Sequence, residues 1–251
     1  MKRLLCLLLL VLLTAGCAAR AERLTDEQLV SYYDDALFVG DSLPRMLRNY
    51  IVPLQKKDPG FFRGVRFYTA YNYQLSTAAK DRVFSQRVNL VYKGRERTLY
   101  ELVTLLNPPK LFILAGLNDR SAFHPEKSME YVRTIVTRMK ETAPDTEVYF
   151  FSLPPVTAKV EKKNHLQAKW DSYNELLKAT CEETGAVYID IATDLKGEDG
   201  LMIPGISSDG EFHLNDRGNA IWVQTLLDFA QSRYDAGLWQ PAERKEREET
   251  P

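Results

Sequence analysis

The 251-residue chain has few cysteines and almost no net charge. Its three cysteines, Cys6, Cys17 and Cys181, lack the spacing of a metal site, and we expect neither a bound metal nor a disulfide. The formal charge of −1 and the absence of a basic patch interleaved with aromatic residues argue against a nucleic-acid partner. Hydrophobic residues make up 45% of the chain, which is typical of a globular protein with a sizeable core.

A long hydrophobic run is also missing, because the apolar stretch 4–13 is too short for an ordinary membrane-spanning helix. It follows Lys2 and Arg3 and precedes Thr14-Ala15-Gly16-Cys17, an order that resembles the bacterial lipobox. The resemblance implies that residues 1–16 are a lipoprotein signal peptide and that Cys17 is lipidated. Residues 17–23 would then tether an extracytoplasmic protein to the membrane. The alternative is a plain secretory signal with a coincidental cysteine.

The remaining chain alternates short apolar strands with helical segments. We predict strands at 36–39, 65–68, 111–115, 148–151 and 187–191, a small hairpin within 88–99, and a loop over 51–62. This order predicts an α/β fold, namely a three-layer α/β/α sandwich around a central, mostly parallel sheet. We assign residues 24–236 to a single domain. The mixed-charge segment 237–251 is predicted to be a disordered tail.

Polar residues follow three of the predicted strands. Ser42 ends the first strand at the start of a helix, Asn118 follows the third strand, and His213 precedes the last helix. Carboxyl ends of parallel strands share one edge of the sheet, where ligands bind. A serine hydroxyl, a base and donors for an oxyanion are what acyl transfer requires. Each residue alone is also explained as a turn, a helix cap or a structural histidine.

Together these residues resemble the SGNH hydrolases, also called the GDSL family of esterases and lipases. Gly40-Asp41-Ser42-Leu43 matches the block that carries the nucleophile, and Gly116-Leu117-Asn118-Asp119 matches the block that carries an oxyanion donor. His213, followed by Leu214-Asn215, matches the block that carries the base. The resemblance implies the flavodoxin-like SGNH fold and an ester substrate, with neither cofactor nor metal.

The resemblance also implies the role of each residue. Ser42 would attack the ester carbonyl while His213 takes its proton. The Ser42 N–H and the Asn118 amide would bind the oxyanion, with Gly116 allowing close backbone approach.

Two departures from the family pattern leave alternatives open. The final block is usually Asp-x-x-His, but Gly210 stands three residues before His213. Asp209, Glu211 or a carbonyl group would then orient the imidazole. We prefer Asp209, because Gly210 lets the turn adapt. The second block also lacks its usual glycine, and the N–H of Ala70 is a candidate replacement donor.

The leading interpretation is an exported, lipid-anchored serine esterase that removes small acyl groups, such as O-acetyl groups on carbohydrate. One alternative is a lysophospholipase or acyltransferase. Another is an inactive carbohydrate-binding lipoprotein on the same fold. The sequence gives no indication of the oligomeric state.

We predict that Cys17 is the mature N-terminus and carries lipid, because basic, apolar and small residues precede it in the order that lipoprotein processing requires. Mass spectrometry of the protein purified from membranes is expected to show an acylated N-terminal Cys17. An unmodified Cys17, or cleavage at another position, would contradict the prediction.

Overall fold

The computed structural model describes residues 23–83 and 88–241. The predicted signal peptide, Cys17 and nearly all of the tether lie outside the described residues, as does the predicted tail beyond residue 241. Within the described ranges, no helix combines the length and the apolar character needed to cross a membrane.

A five-stranded parallel sheet forms the centre of the domain. Its strands are β1 (Leu37–Gly40), β2 (Arg66–Thr69), β5 (Lys110–Leu114), β6 (Glu147–Phe151) and β7 (Val187–Ile189). Their order across the sheet is β2-β1-β5-β6-β7, which confirms the predicted parallel arrangement. After β1 the chain places β2 on one side of that strand, and it later returns to place β5 on the other side. The crevice of such a sheet lies at this switch point, outside the carboxyl ends of β1 and β5.

The two faces of the sheet bury separate hydrophobic cores. Val39 and Ile113 point to one face, whereas Phe38 and Phe112 point to the other. Both central strands are therefore buried on each side, which explains why their sequences are uniformly apolar. On the second face, the rings of Phe38, Phe112 and Tyr149 stack with centroid separations of 4.6 and 4.5 Å. Such aromatic pairs are worth about 1 kcal/mol each beyond the area they bury.

Helices cover both faces and complete the three layers. The helices are α1 (Asp26–Val30), α2 (Ser42–Lys57), α3 (Leu75–Ala78), α4 (Leu99–Leu106), α5 (Pro125–Thr142), α6 (Ala158–Asn164), α7 (Gln167–Thr184), α8 (Ala192–Leu195) and α9 (Asp216–Asp235). Helices α4, α5 and α7 pack on the face of Val39, while α1, α2 and α9 pack on the face of Phe38. A separate antiparallel hairpin, β3 (Leu90–Tyr92) and β4 (Arg95–Arg97), agrees with the predicted one.

Helix α2 is longer than its sequence indicates. The prediction of a loop from residue 51 is wrong, because α2 continues through Pro53 to Lys57. Pro53 is exposed, so the Asn49 carbonyl that loses its hydrogen bond remains accessible to water. Leu43, Leu47 and Ile51 form the buried face that holds the helix on the sheet, and all three precede the proline. Helix α6 was not predicted; Thr157 caps it by accepting a hydrogen bond from the Val160 N–H.

The packed domain extends beyond residue 236. Trp239 lies edge-on against Tyr32, with the ring centroids 5.1 Å apart. At the other end, the Leu24 N–H donates to Gln231, which ties the start of the domain to α9. The described part of the predicted tail therefore contributes to the core on the α1–α9 side.

Gly40 allows the ends of β1 and β5 to approach closely. A Cβ atom at this position would lie 2.0 Å from the Leu114 carbonyl oxygen and 2.8 Å from Pro44 Cγ. No side chain fits in that space, so the strand must end in glycine immediately before Asp41 and Ser42. This close contact fixes where the first turn of α2 begins relative to the loop after β5.

Candidate active site

Ser42 is the first residue of α2 and follows directly on β1. Asp41 caps the helix by accepting a hydrogen bond from the Leu43 N–H at 3.1 Å. The Ser42 N–H therefore lies at a helix N-terminus, where backbone N–H groups and the helix dipole stabilise negative charge. Its hydroxyl lies 2.8 Å from Nε2 of His213. The residue is only partly buried, so a reactant can reach the hydroxyl.

His213 is held on its other side by Asp209. Its Nδ1 lies 2.5 Å from Asp209 Oδ2, while Nε2 faces Ser42. Asp209 Oδ1 accepts hydrogen bonds from the Glu211 N–H at 2.7 Å and the Ser207 hydroxyl at 3.0 Å. Burial alone would raise the pKa of Asp209, but the bonds from His213, Glu211 and Ser207 hold that pKa below its ordinary value. The carboxylate is therefore ionised where it faces the imidazole.

The loop that carries this pair is shaped by Gly210. This glycine has a φ of +74°, in the left-handed region that other residues rarely adopt. The turn brings Asp209 back to His213, which lies four positions further along the chain. Thr157 fixes the position of the loop through two hydrogen bonds. Its hydroxyl donates to the Gly210 carbonyl at 2.8 Å, and its N–H donates to the Glu211 carbonyl at 3.0 Å.

Asn118 lies beside Asp41 at the ends of the two central strands. Its Nδ2 donates to Asp41 Oδ2 at 2.9 Å and to the Tyr73 carbonyl at 3.3 Å. The next residue, Asp119, accepts from the N–H groups of Leu75 and Ser76 at 2.6 and 3.0 Å. These bonds tie the loop after β5 to the end of β1 and to the segment after β2. The structure thus brings Ser42, His213, Asp209 and Asn118 to one edge of the sheet.

Ala70 does not fit its predicted role. Its N–H donates to the Gly40 carbonyl at 3.1 Å, because Ala70 extends the β1–β2 ladder by one residue. The N–H groups of the next two residues, Tyr71 and Asn72, have no hydrogen-bond acceptor within the described part of the chain. Gly116 lines a small apolar cavity beside the Asn118 loop.

Asp41 is a site residue that sequence reasoning missed. The sequence places Asp41 in the block that carries the nucleophile, but its hydrogen bond with Asn118 becomes visible only in the tertiary structure. Its side chain is almost fully buried, and this burial raises its pKa from 3.8 to about 6. Hydrogen bonding from Leu43 and the proximity of His213 oppose the rise. At neutral pH, Asp41 is an ionised acceptor for Asn118.

The titratable groups near Ser42 do not form a metal site. No group of three or more His, Cys, Asp or Glu side chains suited to a metal ion occurs within residues 23–83 and 88–241. The arrangement that the structure presents is a hydroxyl, an imidazole and a carboxylate in a hydrogen-bonded row.

Comparison with known proteins gives a family match and a set of similar folds. Residues 38–221 match the profile of the GDSL-like Lipase/Acylhydrolase family. A GDSL-like lipase from Bacteroides thetaiotaomicron aligns with a TM-score of 0.55 and 13% identity, over 85% of this chain and 92% of its own. An acetylxylan esterase from Geobacillus stearothermophilus, solved as a catalytic mutant, aligns with a TM-score of 0.56 and 15% identity, over 78% of this chain and 93% of its own. Curated proteins give no significant match. At these identities, the structural likeness concerns the fold.

The burial of Asp41 predicts a pH-dependent stability. Its raised pKa means that the folded state disfavours the ionised form, so stability that is present below pH 3.8 is lost as pH rises through about 6. A shift of about two units corresponds to about 3 kcal/mol. The Asp41→Asn variant has no carboxyl group to titrate at this position. As pH rises through this interval, its free energy of unfolding is expected to increase by about this amount relative to that of the wild type.

Urea unfolding of both proteins on either side of this interval measures the difference. A difference in unfolding free energy that stays constant with pH would show that Asp41 is not a buried titrating group.

Proposed function

The chain belongs to the GDSL-like lipase/acylhydrolase family, and from this premise we propose that it is a serine esterase with Ser42 as nucleophile and His213 as base. The observation that carries the proposal is the row formed by Ser42 Oγ, His213 and Asp209, joined at 2.8 and 2.5 Å. Asp209 orients the ring and stabilises the imidazolium that forms during the reaction. Catalytic mutants of the Geobacillus acetylxylan esterase replace a histidine and an aspartate with alanine, which supports the use of these residue types on this fold.

In the proposed reaction, His213 Nε2 takes the proton of the Ser42 hydroxyl as Oγ attacks the ester carbonyl carbon. The tetrahedral intermediate collapses, and the alcohol leaves with the proton from the imidazolium. Water then attacks the acyl-enzyme, with His213 again accepting a proton. The acyl–Oγ bond breaks, the carboxylic acid leaves, and the Ser42 hydroxyl is restored.

The oxyanion would be bound by N–H groups around Ser42. The Ser42 N–H lies at the start of α2, and the Asn118 amide is held close by through Asp41. On substrate binding, Asn118 Nδ2 would give up its longer hydrogen bond, the one to the Tyr73 carbonyl, and donate to the substrate oxygen instead. Because the Ala70 N–H is engaged in the sheet, we assign a third donor to the turn at Tyr71 and Asn72. Losing a single oxyanion donor typically costs a factor of about 10²–10³ in kcat.

We further propose a substrate with a short acyl group on a carbohydrate. The acetylxylan esterase among the structural neighbours supports an acylated carbohydrate as the kind of substrate. The proposed lipid anchor at Cys17 would hold the enzyme on the extracytoplasmic side of a membrane, within reach of polysaccharide esters. Lysophospholipase or acyltransferase activity is the alternative within the same chemistry. A purely carbohydrate-binding role gives no reason for the Ser42–His213–Asp209 row.

Replacement of Ser42 by alanine is expected to reduce the hydrolysis of p-nitrophenyl esters by at least about a thousandfold, since the nucleophile is lost. The melting temperature should change little, because Ser42 is partly exposed and its removal opens no core cavity. Ser232→Ala on α9, which removes an exposed hydroxyl far from the site, is the matched control and should retain full activity. Retained activity in Ser42→Ala with a large loss of stability would assign Ser42 a structural role only.

The carboxylate that supports His213 is tested by comparing Asp209→Ala with Glu211→Ala. Disabling the orienting carboxylate of a serine protease triad costs about 10⁴ in kcat. We expect a loss approaching this size for Asp209→Ala and less than about tenfold for Glu211→Ala, whose side chain is exposed. A larger loss in Glu211→Ala would reverse the assignment. Equal, small losses would indicate a Ser–His dyad.

A further inference from the structure

We propose that a small apolar cavity beside His213 binds the acyl chain of the ester, so that the enzyme prefers acyl groups of about four to six carbon atoms over acetyl. This inference rests on the proposed function, since it concerns the substrate of the same site. It names a specificity pocket, which the sequence motifs do not indicate.

The cavity lies between the loop after β5 and the start of α7, next to the loop that carries His213. It has a volume of about 160 Å³, and its wall includes Gly116, Leu117, Ala122, Leu166, Trp170 and Phe212. Arg120, which also contributes to the lining, is exposed. Apart from Arg120, these lining residues are apolar. A polar group placed against them would lose its hydrogen bonds to water without replacement.

Two contacts connect the cavity to the reacting groups. The Phe212 ring lies 4.8 Å from the His213 ring between centroids, and the Trp170 ring packs against Phe212 at 5.6 Å. Gly116 and Leu117, which also line the cavity, immediately precede Asn118 in the chain. The cavity is thus lined by the immediate chain neighbours of both the imidazole and the proposed oxyanion donor, which places it within reach of a group attached to the carbonyl carbon.

The geometry points to the acyl side of the ester rather than the alcohol side. The leaving alcohol must receive its proton from His213, whose side chain is partly open to solvent, as is that of Asp209. A sugar or another polar alcohol is solvated on that open side. The half-open apolar cavity beside the oxyanion loop remains for the acyl chain.

The volume sets the length of chain that fits. An apolar cavity of about 150 Å³ holds a benzene molecule, which has six carbon atoms. Acetyl would leave most of this cavity empty, whereas butanoyl or hexanoyl would fill it. Each methylene group transferred from water into such a site is worth roughly fourfold in binding.

The test is a series of p-nitrophenyl esters from acetate to octanoate. In the wild type, kcat/KM is expected to rise at least about tenfold from acetate to hexanoate and then to fall at octanoate. Ala122→Phe fills the cavity and should lower the hexanoate-to-acetate ratio of kcat/KM at least about tenfold. Leu166→Ala enlarges it and should move the optimum to octanoate. Because the two variants act in opposite directions, a folding defect cannot imitate both results.

Ala168→Phe is the matched control. It adds the same ring on α7, but at an exposed position outside the cavity. It should leave the chain-length profile of the wild type unchanged.

A second series fixes the acyl group as butanoate and varies the size of the alcohol. The proposal is overturned if the wild type prefers acetate, if Ala122→Phe slows all esters equally, or if it changes selectivity for the alcohol instead of the acyl group. These outcomes leave the serine esterase function intact. That function fails separately if the wild type hydrolyses none of the esters, or if Ser42→Ala hydrolyses them as fast as the wild type.

Discussion

The hydrogen bond between the Asn118 amide and the buried Asp41 carboxylate joins the ends of the two central strands. Asp41 also caps the helix that begins with Ser42, and Asn118 also contacts the turn after β2 through the Tyr73 carbonyl. One carboxylate therefore sets the position of the nucleophile relative to the proposed oxyanion donor. Burying this carboxylate is unfavourable, as its raised pKa shows. Ionisable groups with shifted pKa values are often found at functional sites.

Much of the fold follows from the sequence. Short, wholly apolar strands such as 111–114 predict burial on both faces, and their alternation with amphipathic helices predicts a parallel sheet. The least predictable parts are those in which tertiary packing overrides local propensity. A loop was predicted from residue 51, yet α2 continues through Pro53 to Lys57, because the proline faces solvent. Trp239 lies in a segment whose charge pattern indicated a tail, yet its ring packs on Tyr32.

The sequence also predicts part of the candidate site, namely the residues that follow strands, but not the contacts that depend on tertiary structure. The strand ends identify Ser42, Asn118 and His213, because a parallel sheet gathers its carboxyl ends at one edge. Which acid faces His213 depends on the turn at Gly210, and the sequence indicates only that such a turn is permitted. The Ala70 N–H was a reasonable donor by position, but whether it pairs with Gly40 or faces the site depends on where the β1–β2 ladder stops. The apolar cavity combines residues from four separate segments, which no local pattern connects.

The central claim is that the Ser42 hydroxyl is a nucleophile activated by His213, and covalent trapping tests it most directly. The wild-type protein would be treated with a fluorophosphonate at neutral pH, and the modified residue identified by peptide mass spectrometry. The account predicts one adduct per chain, on Ser42, formed at least about a hundredfold more slowly in His213→Ala. A folded wild-type protein that remains unlabelled, or that carries the label on another residue, would contradict it.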